Sequence, residues 1–441
     1  MTNRLRIFTL LLTIFSLSAT AQTITNERVL KLSSQKIKLE QELNYVKALS
    51  LAKEKNWDLT MTFDGIVAKL TGVDAFGFPI YTKSYNNTIA AATTRASQLW
   101  PGGASGLNLS GSTEAMRNKL GVWEFDGIPL PTHVEFTNRI LQKDNPTGSS
   151  GNDHATHVAG TMIAAGINPI AKGMAFGIPN LISYDHNNDI TEMTNEAAAG
   201  MLLSNHSYGF IAGWNFNSAQ SRWEFNGRPN ENEDFRYGWY SANAQIVDSI
   251  AFNAPFYLKV SVAGNDRNNN GPAVGQPYFR RNAQGVMADA GTRPAGINSN
   301  DGFDIILGYG IAKNNLTIGA VNGIPRGYSK TADVVISAFS GWGPTDDGRI
   351  KPDLVANGVN VTSSSTNGTT SYNSKSGTSM AGPNATGSLL LLQEHYTKLR
   401  PNNFMRSATL KGLAIHTADE AGNSPGPDYT YGWGLLNVQK A

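Results

Sequence analysis

Cysteine is absent from all 441 residues, so no disulfide framework holds this chain together and its stability has to come from a buried core. Charge is sparse and nearly balanced. Asp, Glu, Lys and Arg make up 16% of the sequence and leave a formal charge of +2. Such a balance excludes the electrostatic footprint of a nucleic-acid-binding protein or of one held on an acidic membrane face. No apolar run is long enough to span a bilayer, and neither internal repeats nor low-complexity tracts occur.

What is present begins with a secretory pattern. Arg4 and Arg6 precede an apolar stretch at 7–17, and Ala19-Thr20-Ala21 offers a small-residue cleavage site before Gln22. Residues 1–21 therefore read as a signal peptide, and the protein is expected to be secreted or extracytoplasmic. Residues 22–94 form a region of different character. A charged, helix-favouring stretch at 26–55 carries Leu39, Leu43 and Val46 at helical spacing, and strand-like segments follow at 59–63 and 78–81. This is a small α+β piece, either a pro-segment that is removed or an accessory region that stays. Residues 86–107, rich in Ala, Thr and Gly, read as its connector.

From residue 95 to 441 short apolar strands alternate with helices. Strands are expected near Leu120, Leu181, Leu202, Tyr257 and Leu316, and helices near Val158, Glu196, Ile246 and Leu390. Alternation of this kind predicts a three-layer α/β/α domain with a mostly parallel central sheet. Active groups then belong at the carboxyl ends of the strands.

The residues that carry chemistry are spread along this domain. Ser379 sits in Ser376-Gly377-Thr378-Ser379-Met380-Ala381-Gly382-Pro383, with a helix-forming apolar stretch directly after it. A serine mounted at a helix N-terminus suits acyl transfer, because the helix dipole favours negative charge developing on the substrate oxygen. His154 lies in Asn152-Asp153-His154-Ala155-Thr156-His157, and an acidic strand end precedes it at Asp126. A hydroxyl is a poor nucleophile at neutral pH; it needs a neutral imidazole to take its proton and a carboxylate to fix the tautomer of that imidazole.

In these motifs and their Asp, His, Ser order the chain resembles the subtilisin-like serine proteases. The resemblance extends to Ala263-Gly264-Asn265-Asp266, which implies that Asn265 donates its amide to the oxyanion together with the Ser379 N–H. It also implies that an extended substrate lies beside Ser207-Tyr208-Gly209 and Val262-Ala263-Gly264. Phe339-Ser340-Gly341-Trp342-Gly343-Pro344 and Lys351-Pro352-Asp353 match the stretch ahead of the serine helix.

Two positions depart from the family pattern. Ala155 replaces the usual Gly after the histidine, a small change on a helix. The strand Leu120-Gly121-Val122-Trp123-Glu124-Phe125-Asp126-Gly127 lacks the Asp-Thr/Ser-Gly signature, and strand alternation puts Glu124 and Asp126 on one face. Pattern alone does not separate the two acids. Asp126 is preferred because a carboxylate one methylene longer has to back away to keep the same hydrogen bond.

Other polar residues have plainer readings. His157 and His206 are expected to be packed structural histidines. Residues 185–189 are oxygen-rich, as calcium loops are, but Asp189 with Glu192 reads as an N-cap and capping-box pair. Asn268-Asn269-Asn270-Gly271 reads as a turn and Arg280-Arg281 as solvated loop charge.

The sequence thus predicts a secreted serine endopeptidase acting on protein or peptide substrates through Asp126, His154 and Ser379. The chemistry requires no cofactor and no metal, and a structural calcium ion is left open. The alternative is a peptide-binding protein of the same fold without turnover, against which the retention of Ser379, His154 and Asn265 speaks.

Overall fold

The computed structural model of the protein describes residues 27–63, 66–83, 86–125, 127–144 and 151–441. The signal-peptide reading of residues 1–21 and the acid Asp126 lie outside the described residues. The chain divides near residue 85 into two compact units.

The first unit combines the helix Glu27–Lys55 with a three-stranded sheet in the order Thr60–Phe63, Ile66–Val73, Pro79–Lys83. The helix and the strands form where periodicity and β-propensity place them. The buried helix face differs from the expected one: Leu39, Leu43 and Val46 are exposed, while Ala48 and Ala52 pack with Leu70 and Val73. Small residues let the helix backbone approach the sheet, so the bulky ones are turned away from it.

The second unit begins earlier than the expected 94–95 boundary. Asn86 caps the helix Asn87–Thr93 by accepting from the Ile89 N–H at 2.9 Å, and Asn87 donates to the Lys172 carbonyl at 2.8 Å. Ala90, Ala91, Leu99 and Trp100 join the main core. The stretch read as a connector is therefore part of the domain; its small residues serve close helix packing, not flexibility.

Seven strands form the central sheet, in the order Leu354–Asn357, Leu316–Val321, Leu258–Val262, Leu203–His206, Leu120–Glu124, Leu181–Asp185, Ile140–Gln142. Every neighbouring pair is parallel, so all seven carboxyl ends emerge on one side. The five expected strands are present. The two edge strands Ile140–Gln142 and Leu354–Asn357 are short and lacked a periodic signal. The helices Asp153–Ile163, Asp189–Ala198, Ala242–Asn253 and Thr378–Leu399 lie where predicted. The last is buried along most of its length. It reaches the sheet closely at Gly382, where a Cβ atom would come within 2.9 Å of both Asn205 Oδ1 and Val262 Cγ1.

A second sheet of four strands, in the order Met287–Thr292, Pro277–Arg281, Arg222–Phe225, Trp214–Asn217, stands apart from the first and has a small core of Trp214, Phe225, Tyr278 and Ile297. Arg280 and Arg281 lie on one of these strands rather than in a loop; the Arg280 guanidinium lies over the Phe225 ring and donates to the Glu231 carbonyl. The capping-box reading also fails. Asn188 occupies the cap position, Asp189 is the first helical residue and is turned inward, and Glu192 accepts from Trp123 Nε1 at 3.0 Å.

In a chain without cysteine, buried carboxylates fasten the loops. Glu135 is fully buried and accepts from the N–H groups of Gly166, Ile167 and Asn168 at 2.7, 3.1 and 2.8 Å and from the Tyr372 hydroxyl at 2.8 Å. Glu394 accepts from Ser110 and Gly111 N–H in the same way. Removing such an acceptor leaves several donors unpaired. Glu135→Ala should therefore destabilise the domain by about 3 kcal/mol or more, seen as a lowered urea midpoint. An unchanged midpoint would show that water replaces the carboxylate without loss.

Candidate active site

The strand Leu120–Glu124 is buried throughout, and its two faces do different things. Trp123 stacks between Tyr184 and His206 on one side. Leu120 and Val122 point into the main core with Val158 of the helix Asp153–Ile163, and alternation puts Glu124 on that same face. At the strand's end the fully buried Glu124 carboxylate accepts from His154 Nδ1 at 2.6 Å. A carboxylate can only accept, so the proton sits on Nδ1 and Nε2 is left as a base.

Asn152 caps the histidine helix by accepting from the Ala155 N–H at 3.0 Å, which fixes His154 in its first turn. Next to it, Asp153 pairs with Lys375 at 2.8 Å and accepts from Thr366 N–H and Asn373. Burial opposes the charge on Asp153, but these partners prevail and hold its carboxyl down to about 2.

Burial and pairing act in opposition on the two partners. For Glu124 burial dominates and raises the carboxyl above its ordinary value, although the His154 charge pulls the other way. For His154 burial alone would lower the imidazole, yet the Glu124 charge and hydrogen bond carry it above the ordinary value.

Trp123 pairs in register with His206, so Glu124 stands beside Ser207. The Ser207 carbonyl accepts from Ser379 Oγ at 3.3 Å, and the Ser207 hydroxyl donates to the Ser379 carbonyl at 3.1 Å. The second bond has a covalent cause: Pro383, four residues along the helix, has no N–H with which to bond that carbonyl. The serine is thus fastened to the strand end from both its side chain and its backbone.

Asn265 follows Gly264, whose φ of +92° belongs to the left-handed region that glycine enters without strain. The Asn265 Oδ1 accepts from Thr378 N–H at 2.8 Å and from Thr378 Oγ1 at 2.9 Å. With the oxygen committed, the Nδ2 donor faces the cleft, 3.3 Å from the point where a Cβ on Gly377 would lie. The Ser379 N–H belongs to the first turn of its helix and has no intrahelical acceptor. Asn265 and Ser379 line the same cavity, so both donors belong to one wall.

A cavity of about 210 Å³ opens next to Ser379, lined by residues 207–211 and 261–266 with Leu307, Tyr309 and Gly310. All six residues expected to contact substrate line it. Ser207, Tyr208 and Gly209 leave the strand as irregular chain, free to pair with a guest. Behind the wall, Tyr208 and Tyr309 donate to Asp189 at 2.7 and 3.3 Å. The buried Lys259 donates to Ser261 Oγ at 2.9 Å, and burial lowers its ammonium to about 7.

The structure thus brings together Ser379, Asn265 and the substrate-wall residues, and it joins His154 to Glu124, the acid not preferred from sequence. His157 is structural, as expected: buried, with Nε2 bonded to the Val361 carbonyl at 2.9 Å. So is His206, between Ser204 and Tyr208. Among the described residues no cluster of three or more His, Cys, Asp or Glu could hold a metal ion.

Comparison with known proteins places the chain in a family. The family model described as the subtilase family matches residues 81–434. Among curated proteins, the C5a peptidase of Streptococcus pyogenes is 40% identical over 81 residues, covering 18% of this chain and 7% of that protein. A subtilisin-like protease of Arabidopsis thaliana is 33% identical over 185 residues, covering 36% of this chain and 23% of that one. The chain thus spans less than a quarter of the length of either relative in these alignments. Among solved structures, the CspB protease of Clostridium perfringens superposes with a TM-score of 0.55 at 17% identity, over 79% of this chain and 97% of that one, a likeness of fold.

The Glu124–His154 pair makes a prediction independent of activity. In Glu124→Gln the imidazole keeps its burial and loses the negative charge that raises it, so the His154 pKa should fall from above to below about 6.5. Titration of the ring nitrogens by NMR checks this. A pKa unchanged by the substitution would mean that another carboxylate holds the ring.

Proposed function

Because the chain belongs to the subtilase family of serine peptidases, we propose that it is a secreted serine endopeptidase whose triad is Glu124, His154 and Ser379. The observation that carries this reading is the 2.6 Å bond from His154 to a fully buried Glu124, one strand away from the carbonyl that receives the Ser379 hydroxyl. Substrate entry turns Ser379 Oγ from Ser207 toward His154 Nε2. The hydroxyl oxygen attacks the scissile carbonyl as its proton passes to Nε2, and Glu124 stabilises the imidazolium.

The carbonyl oxygen becomes an anion between Asn265 Nδ2 and the Ser379 N–H. Collapse of this intermediate breaks the C–N bond, the imidazolium gives its proton to the departing amine, and an acyl-enzyme remains. Water activated by the same imidazole then releases the acid. Secretion is supported by the basic and apolar start of the chain followed by Ala19-Thr20-Ala21. The first compact unit, after the signal segment, is proposed as a pro-segment that the mature enzyme sheds.

Ser379→Ala should abolish casein hydrolysis and labelling by a fluorophosphonate without unfolding the protein, and its intact mass should retain the first unit. Labelling of that variant would place the nucleophile elsewhere.

Glu124→Gln should cut kcat by about 10⁴-fold, as loss of the orienting carboxylate does in serine proteases, whereas Asp126→Asn should cost far less. Steady-state kinetics of the two variants on one peptide substrate decides between the acids, and exchanged effects would restore Asp126.

Asn265→Ala should lower kcat by about 10²–10³ with little change in KM, the loss known for removing one such donor in subtilisin. A raised KM at constant kcat would make Asn265 a substrate-binding residue instead.

A further inference from the structure

We infer that the cavity beside Ser379 selects a basic residue, Lys or Arg, on the acyl side of the scissile bond, and that Asp266 is the residue that reads its charge. The inference rests on the endopeptidase reading above. Among the described residues that line the cavity, Asp266 alone carries a formal charge at neutral pH. It directly follows Asn265, so a side chain entering the cavity from a carbonyl held at Asn265 and Ser379 passes it.

The Asp266 carboxylate is half-buried and poorly compensated. Its Oδ1 accepts only a long 3.3 Å bond from Asn269 Nδ2, and burial raises its pKa. The nearby guanidinium of Arg267 is used elsewhere: it lies over the Trp342 ring at 3.4 Å and donates to the Asp301 carbonyl. No ion pair to Asp266 occurs among the described residues. A partly desolvated carboxylate without a counterion gains when a cation is delivered beside it.

The rest of the cavity suits the stem of such a side chain. Phe210 and Ile211 stand exposed at its mouth, and the Phe210 ring packs on Tyr309. Lys and Arg bury their methylenes along apolar surface while the head finds a polar partner. The hydroxyls of Tyr208 and Tyr309 are spent on Asp189 and do not offer donors to an acidic guest.

One charge opposes the assignment. Lys259 lies beneath the floor, its ammonium 4.7 Å from the Tyr309 ring centroid and bonded to Ser261. It is screened from the cavity by both residues, whereas Asp266 lines it. Asp189 behind the same floor has the opposite sign and lies within reach of the Lys259 charge. The field that a guest meets inside the cavity is therefore set by Asp266.

The test uses the full-length protein and a series of fluorogenic peptides that differ only at the acyl-side residue: Lys, Arg, Leu, Phe and Glu. Wild type should cleave the Lys and Arg members with the highest kcat/KM and the Glu member with the lowest. Asp266→Asn should reduce kcat/KM for Lys and Arg by about 10- to 100-fold, as loss of one partner of a half-buried charge pair does, and leave Leu and Phe within about threefold. A wild type that prefers Leu or Phe, or an Asp266→Asn variant with unchanged ratios, overturns the inference and leaves the endopeptidase reading intact. If no member is cleaved and the fluorophosphonate fails to label Ser379, the endopeptidase reading fails and the inference falls with it.

Discussion

Burial of the serine helix Thr378–Leu399 is the constraint on which the rest of the molecule depends. Most helices in an α/β domain expose one face, but this one is buried from Thr378 to Glu394. Its residues at the sheet are consequently small, and its proline falls where a partner on the neighbouring strand end can satisfy the freed carbonyl. Ser207 and Asn265 each bond to the first turn of this helix. A shift of the helix along the sheet would break both attachments at once, so the Ser379 hydroxyl, its N–H and the Asn265 amide keep their spacing as a unit.

Much of the fold is legible in the sequence because buried parallel strands are written as continuous apolar runs. Leu120–Glu124 and Leu316–Val321 come near to this, whereas Leu203-Ser204-Asn205-His206 is mostly polar and is marked only by the apolar Met201-Leu202 ahead of it. The edge strands Ile140–Gln142 and Leu354–Asn357 are too short for a period to register. The four-stranded sheet escaped because its strands are short and its hairpin Trp214–Asn217 with Arg222–Phe225 meets Pro277–Arg281 only across a long stretch of chain. Composition misled at 86–94, where alanine-rich chain looks like a linker until the core that it packs into is present.

The site divides in the same way. Ser379, His154 and Asn265 are set by local motifs, each a strand end or a helix start, and these are recognisable one at a time. The carboxylate that partners His154 is not, because which acid faces the histidine depends on where the strand stops. Alternation groups Glu124 with Asp126, and only the fold shows that Glu124 is the last strand residue, on the face toward the histidine helix. The extra methylene, which argued against glutamate, does not prevent a 2.6 Å bond between Glu124 and His154 Nδ1. Asp189 shows a similar limit: its spacing from Glu192 imitates a capping box, but two tyrosines distant in sequence claim its carboxylate.

The cavity walls end where the four-stranded sheet begins. Residues 207–211 run directly into Trp214–Asn217, and the chain between Asp266 and Leu307 makes the other two strands before it returns to the cavity floor. Both excursions leave from the wall, meet in a sheet with a hydrophobic core of its own, and come back without contributing Glu124, His154 or Ser379. The outer sheet is consequently tied through the backbone to both walls of the cavity, at residues 207–211 and at Asp266. A rearrangement of that sheet would be felt first in the wall beside Ser379, while the seven parallel strands keep a register that does not depend on it.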